Sequence, residues 1–142
     1  MGEHVLVPVD GSPLSERALE RALTHQPDDR ITVLHVIDPM QAVYEAEAKG
    51  LPASRSWFDR MTERAGEIHA DAERIAAEHD REITTATETG RPARAILAYV
   101  DEHDVEHVVM GSHGRSGVSR LVLGSVAEQV MRQAPVPVTV VR

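Results

Sequence analysis

Val108-Val109-Met110-Gly111-Ser112-His113-Gly114, followed by Leu123-Gly124-Ser125-Val126-Ala127, is the stretch from which the fold is read. An apolar run ending in a glycine turn reads as the close of a strand, and Ser125 to Met131 reads as a helix opening at a serine. The glycines follow the spacing G-x2-G-x9-G-S. Strand, glycine turn and helix N-terminus together make a place for an anion, because the first helical N–H groups lack intrahelical acceptors and the dipole adds about half a positive charge. Glycines at 111, 114 and 124 remove the Cβ atoms that would keep a phosphate from those groups and permit positive φ. The competing reading is structural: the glycines only turn the chain, and Ser125 is only an N-cap. A P-loop is excluded by the missing G-K-[ST], and a dinucleotide fingerprint by the missing G-x-G-x-x-G.

Outward from this stretch, strands and helices alternate. Val5 to Val9 is a continuous apolar run, as expected of a strand buried on both faces. It stops at Asp10-Gly11-Ser12-Pro13, where Ser12 is the expected N-cap and Pro13 the first helical residue. That helix carries Leu14, Ala18, Leu19, Ala22 and Leu23 on one side and ends before Pro27. Ile31–Ile37 is the second strand, and the aperiodic stretch Met40 to Ser54 is expected to be a mobile connection. A long helix follows from Arg55 to Asp80, with Phe58, Met61, Ala65, Ile68, Ala72 and Ile75 predicted as its core face and Trp57 partly exposed. Ile83–Thr89 is the third strand. Pro92 opens a helix whose Ala93, Ile96, Leu97 and Val100 share a face. His107–Met110 and Val136–Val141 are the fourth and fifth strands. The pattern β-α-β-α-β-α-β-α-β predicts an α/β fold: one doubly wound domain with a mainly parallel sheet and helices on both faces. Ligands of such sheets bind beyond the carboxyl ends of the strands where the order reverses.

Composition narrows the function classes. At 142 residues the chain fits one domain able to bury about two-thirds of its unfolded surface. Hydrophobic residues make up 42% and aromatics 3%, so Val, Ile, Leu and Ala must build the core. A formal net charge of −8, with no basic stripe, argues against nucleic acid or anionic membrane as partner. Without cysteine there is no disulfide framework or thiol chemistry. No signal peptide and no apolar run of about 18 residues is present, so a cytoplasmic protein is expected.

Val7-Pro8-Val9-Asp10-Gly11-Ser12, taken with Met110-Gly111-Ser112-His113-Gly114-Arg115 and Leu123-Gly124-Ser125-Val126, resembles the universal stress protein family, specifically its ATP-binding branch. The resemblance covers the whole chain. It implies the strand order 3-2-1-4-5. It also implies that Asp10 and Val36 hold adenine and that Pro8 and Gly111 lie along the ribose. Gly114, Arg115, Gly124, Ser125 and Val126 would surround the phosphates, with magnesium or manganese bridging them. Val9, Met110 and His113 complete the implied site. A homodimer through the last strand, 136–141, is likewise implied, and it would cover an edge open to aggregation.

The function expected from the resemblance is a nucleotide-dependent stress-response switch or sensor, at most a weak ATPase. The loop has no lysine and no well-placed general base for phosphoryl transfer. Two alternatives stand beside it: a nucleotide-independent dimeric interaction or protective protein, and an ATP-using enzyme whose second substrate would need the Met40 to Ser54 stretch. Asp10 is read as ligand or cap, Arg115 as phosphate partner or surface arginine, and His113 as solvated bystander, phosphate donor or weak acid/base. His69/Glu73 and His103/His107 have i, i+4 spacing but no third ligand, so they read as surface histidines.

Overall fold

The computed structural model describes residues 2–50, 55–113 and 123–142. The elements run β1 (His4–Pro8), α1 (Pro13–His25), β2 (Arg30–Ile37), α2 (Pro39–Ala48), α3 (Arg55–Glu78), β3 (Thr84–Thr89), α4 (Pro92–Glu102), β4 (His107–Gly111), α5 (Ser125–Gln133) and β5 (Val138–Val141). All four strand pairings are parallel, and the order is β3-β2-β1-β4-β5.

The apolar run of β1 is continuous because alternate residues serve different cores. Val5 and Val7 pack with Ala18, Leu19 and Ala22 of α1 and Ile68, Ala72 and Ile75 of α3. Leu6 packs on the other face with Ile96 and Val100 of α4 and Val130 of α5. Helix α1 starts as predicted: the Ser12 hydroxyl accepts from the Ser15 N–H at 3.2 Å, with Pro13 as first helical residue. Its other end is held by Arg81. The guanidinium donates to the carbonyls of Leu23 (3.0 Å), Gln26 (3.3 Å) and Asp29 (2.8 Å), binding the last turn of α1 and the turn into β2.

Several expectations are corrected. Most of the stretch expected as a mobile connection is helix α2. Asp38 starts it: its carboxylate accepts from the Met40 N–H at 3.0 Å and its carbonyl from the Gln41 N–H at 3.1 Å. The large hydrophobic residues of the helix, Met40 and Tyr44, are 50% and 65% exposed, so they mark no core face in the sequence. In α3 the aromatic assignments exchange: Trp57 is 7% exposed and Phe58 45%. The cations of Lys49 and Arg60 lie 5.1 and 5.3 Å from the Trp57 ring centroid and cover the indole. In α4, Tyr99 rather than Leu97 joins the buried face. Helix α5 is capped by Gly124, with no side-chain cap, and Ser125 is its first helical residue.

Candidate functional site

Strand β1 lies between β2 and β4, and Leu6 pairs with Val108. The connection leaving β1 goes to one side of it, while the one leaving β3 crosses to the other, so the strand order reverses between β1 and β4. A cavity of about 420 Å3 opens there, within the range of small-molecule sites. It crosses the edge of the sheet. Leu34 and Val36 reach it from the α4/α5 face, and His35 between them faces the α1/α3 side.

Pro8, Leu34, Val36 and Met110 form an apolar floor, and Pro92, Ile96 and Ala127 a wall above it. Asp10, Ser15, Asp38 and Gln41 supply polar groups. Gly111, His113, Gly124, Ser125 and Val126 make a second wall. Ten residues expected at the site therefore meet at one cavity: Pro8, Val9, Asp10, Val36, Met110, Gly111, His113, Gly124, Ser125 and Val126. The other two, Gly114 and Arg115, lie outside the described residues.

The two limbs of the glycine wall are tied together. The Gly124 N–H donates to the Ser112 carbonyl at 2.7 Å, and the Ser112 N–H to the Val141 carbonyl at 2.7 Å. Helix α5 begins immediately afterwards. Its first-turn N–H groups, at Ser125, Val126 and Ala127, have no acceptor within the helix, and all three residues border the cavity. The carboxylate of Asp10 accepts from the Ser12 N–H at 2.9 Å, which fixes the turn leaving β1 while the residue lines the cavity. The His113 ring nitrogen Nδ1 lies 3.3 Å from the Ser112 hydroxyl.

The glycines do different work from that expected. Neither Gly111 nor Gly124 has positive φ; Gly11 does, at +82°. A Cβ at Gly111 would stand 3.1 Å from Leu14 Cγ, so that glycine admits α1 against β4. At Gly124 it would stand 3.1 Å from both the Ser112 carbonyl oxygen and His113 Cα. A valine at 124 therefore disturbs the wall itself and is not a purely steric block to ligand.

Of the histidines read as surface residues, His103 is exposed, whereas His69 and His107 are corrected. His69 is half-buried, with Nε2 2.9 Å from the Thr87 hydroxyl and its ring edge-on to His35 at 6.4 Å. Burial lowers its pKa, and the neighbouring His35 lowers it further. His107, also half-buried, joins Gln26 at 3.2 Å and Thr139 at 2.8 Å. His103 stacks on Tyr99 with ring centroids 3.8 Å apart. Among the described residues no three His, Cys, Asp or Glu side chains converge on a metal position.

Sequence reasoning missed His35 and the wall contributed by α3. His35 donates Nδ1–H to the Val9 carbonyl at 2.8 Å, since a carbonyl can only accept. Met61, Arg64 and Ile68 of α3 line the cavity. Met61 and Ile68 belong to the stripe read as core, so helical spacing found them without their second role. No pattern marks Arg64.

The model of the universal stress protein family matches residues 1–142. A universal stress protein of Methanocaldococcus jannaschii is 32% identical over 143 residues, covering 97% of this chain and 81% of that relative. The structure of hypothetical protein MJ0577 superposes with a TM-score of 0.81 at 25% identity, over 99% of this chain and 96% of that one. An Archaeoglobus fulgidus universal stress protein in complex with dAMP gives 0.71 at 23%, over 100% and 98% of the two chains. Universal stress proteins in complex with cAMP, and from Arabidopsis thaliana with AMP bound, give 0.73 and 0.68 at 23% and 20% identity. They cover 99% and 97% of this chain, and 97% and 90% of their own.

Proposed function

Because the chain belongs to the universal stress protein family, we propose that it binds an adenine nucleotide where β1 and β4 meet, and that the filled and empty forms are the two states of a stress-response switch. The observation that carries this reading is the meeting of an apolar slot and a helix N-terminus in one cavity. The floor of Pro8, Val36 and Met110 suits a purine face, and the first turn of α5 suits phosphate oxygens. Solved relatives of the fold hold AMP, dAMP and cAMP, which supports the adenine class. ATP is the form proposed here, on the strength of the glycine spacing.

Magnitudes divide the labour. A helix terminus contributes about 0.3–1 kcal/mol toward an anion, up to about 2 in a sheltered site. Micromolar affinity requires about 8 kcal/mol. The apolar slot must therefore supply most of the binding, with the glycine wall setting the position of the phosphates. On the described part of that wall, His113 is the one titratable side chain, held beside Ser112. The loop sequence carries no lysine for the developing charge, so hydrolysis is proposed to be slow at most. A magnesium or manganese ion arriving with the nucleotide would offset phosphate charge, and Ser125 carries the hydroxyl on that wall able to meet it.

The test begins with gently purified protein, denatured and searched by mass spectrometry for released nucleotide, followed by calorimetric titration with ATP and AMP. Bound or titratable adenine nucleotide is expected, and its absence from both measurements sinks the reading. Ser125→Asp places an acid at the helix N-terminus, where it favours the helix but repels phosphate. It is expected to leave the thermal midpoint unchanged or raised and to weaken ATP at least about tenfold, an affinity change of about 1.4 kcal/mol. The sheet edge at β5 supports a second element of the proposal, a homodimer through residues 136–141.

A further inference from the structure

We propose that Arg64 reads the base: its guanidinium, carried by α3 to the end of β1, donates a hydrogen bond to N1 of the bound adenine, the ring acceptor that hypoxanthine replaces by an N–H, and so separates adenine from hypoxanthine. The proposal rests on the adenine-nucleotide reading above and adds to it a residue outside both the glycine motif and the strand ends.

Met61, Arg64 and Ile68 stand at i, i+3 and i+7 on α3, so they form one stripe along the cavity. The stripe lies across the sheet from Pro92 and Ile96, and its two apolar members bracket the single polar one. A planar ring lodged along Met61 and Ile68 therefore has the Arg64 guanidinium within reach.

The guanidinium also reaches the correct strand end. Its Nη2 lies 2.9 Å from the position a Cβ would take on Gly11, the residue following Asp10. Gly11 holds φ at +82°, and its missing side chain is what leaves the guanidinium that space. The phosphate wall, by contrast, is built by His113, Gly124 and Ser125. Arg64 Nη1 meets the Glu67 carboxylate at 3.2 Å in a solvent-exposed i, i+3 pair. That pair leaves the other guanidinium donors for the cavity that Arg64 lines.

Donor polarity then decides the base. A guanidinium only donates, and the carboxylates of Asp10 and Asp38, in the same cavity, only accept. With Arg64 at N1 and a carboxylate at the neighbouring amino group, adenine matches that combination. In the same pose hypoxanthine presents an N–H to the guanidinium and a carbonyl to the carboxylate, reversing both. A site that hydrogen-bonds a ligand group discriminates strongly against an analogue that lacks it, because buried polar groups are left unpaired.

The experiment titrates the full-length chain and its Arg64→Met and Arg64→Gln variants with AMP, IMP and adenosine by calorimetry. Methionine keeps the apolar stem and glutamine keeps one amide donor. For Arg64→Met, AMP and adenosine are expected to weaken by the same factor, about tenfold, and IMP to stay within about twofold, so the AMP/IMP preference collapses. Arg64→Gln is expected to fall between the two. Equal losses for AMP and IMP, or no loss, overturn base reading. A loss for AMP that adenosine does not share also overturns it and assigns Arg64 to the phosphate. A wild-type chain that binds none of the three overturns this proposal, and the nucleotide reading with it when ATP also fails to bind, whereas one that binds AMP and keeps its AMP/IMP ratio in the variants loses only this proposal.

Discussion

His4 shows how one side chain couples stability to pH. It is buried, with Nδ1 donating to the His103 carbonyl at 3.0 Å and Nε2 2.7 Å from the Thr32 hydroxyl. Burial, above all, pushes its pKa below the ordinary 6.5 of histidine, as it does for His69. A lowered folded-state pKa means the unfolded chain binds more protons between that value and 6.5. Stability is therefore full above about pH 6.5 and falls as acid is added through the window down to the folded values. Urea midpoints at pH 7.5 and 5.5 should show the drop, and His4→Gln should flatten it. A pH-independent midpoint in the parent removes the argument. Arg81 makes a separate prediction, since one guanidinium serves three carbonyls at the end of α1. Arg81→Met should cost about 2 kcal/mol in urea unfolding. Arg81→Lys should recover little, because an ammonium is a point donor without the fork. Neither residue could be found by pattern: both act through backbone carbonyls brought close only by the fold.

The elements that were legible from sequence are those whose apolar faces repeat. Helix α1 matches its reading in cap, opening proline and buried face. Helix α2 was illegible because its sequence has no apolar periodicity, and the Asp38 cap that starts it is a single residue. The site divides in the same way. The α5 N-terminus was readable from glycine spacing, and the meeting of the β1 and β4 ends was implied by the family resemblance, whereas the α3 wall was hidden inside a stripe that doubles as core. The turn between β1 and α1 offers the test at this scale. At Gly11 an alanine meets a left-handed backbone, and its Cβ would stand 2.9 Å from Arg64 Nη2 and 3.3 Å from Ile68. Gly11→Ala should cost about 1–2 kcal/mol in thermal or urea unfolding. A stability equal to the parent's means the turn relaxes and the close approach is not a constraint.

Across the whole molecule, strand order determines which surfaces remain open. β3 is threonine-rich and largely exposed at one edge, while β5 at the other edge is valine-rich and half-buried along its length. The two edges are thus chemically unlike, and the valine edge is the one a second copy is expected to cover. If so, Val140→Lys should shift the particle from two chains to one in analytical ultracentrifugation, with the far-ultraviolet spectrum unchanged. A parent that sediments as a single chain at high micromolar concentration refutes that arrangement. The order 3-2-1-4-5, implied by the family resemblance, could not have come from periodicity, because hydrophobic pattern fixes what each strand buries and not which strand stands beside it.

The cavity that crosses the sheet edge touches α3, which belongs to one core, and α4 and α5, which belong to the other. A molecule lodged there is in effect a rivet between two layers that otherwise share only the strands. Its grip should be visible far from where it sits. Amide hydrogen exchange at Ala72 and at Val100, on opposite layers, should slow together as ligand is added, by a factor that grows as the ratio of free ligand to Kd.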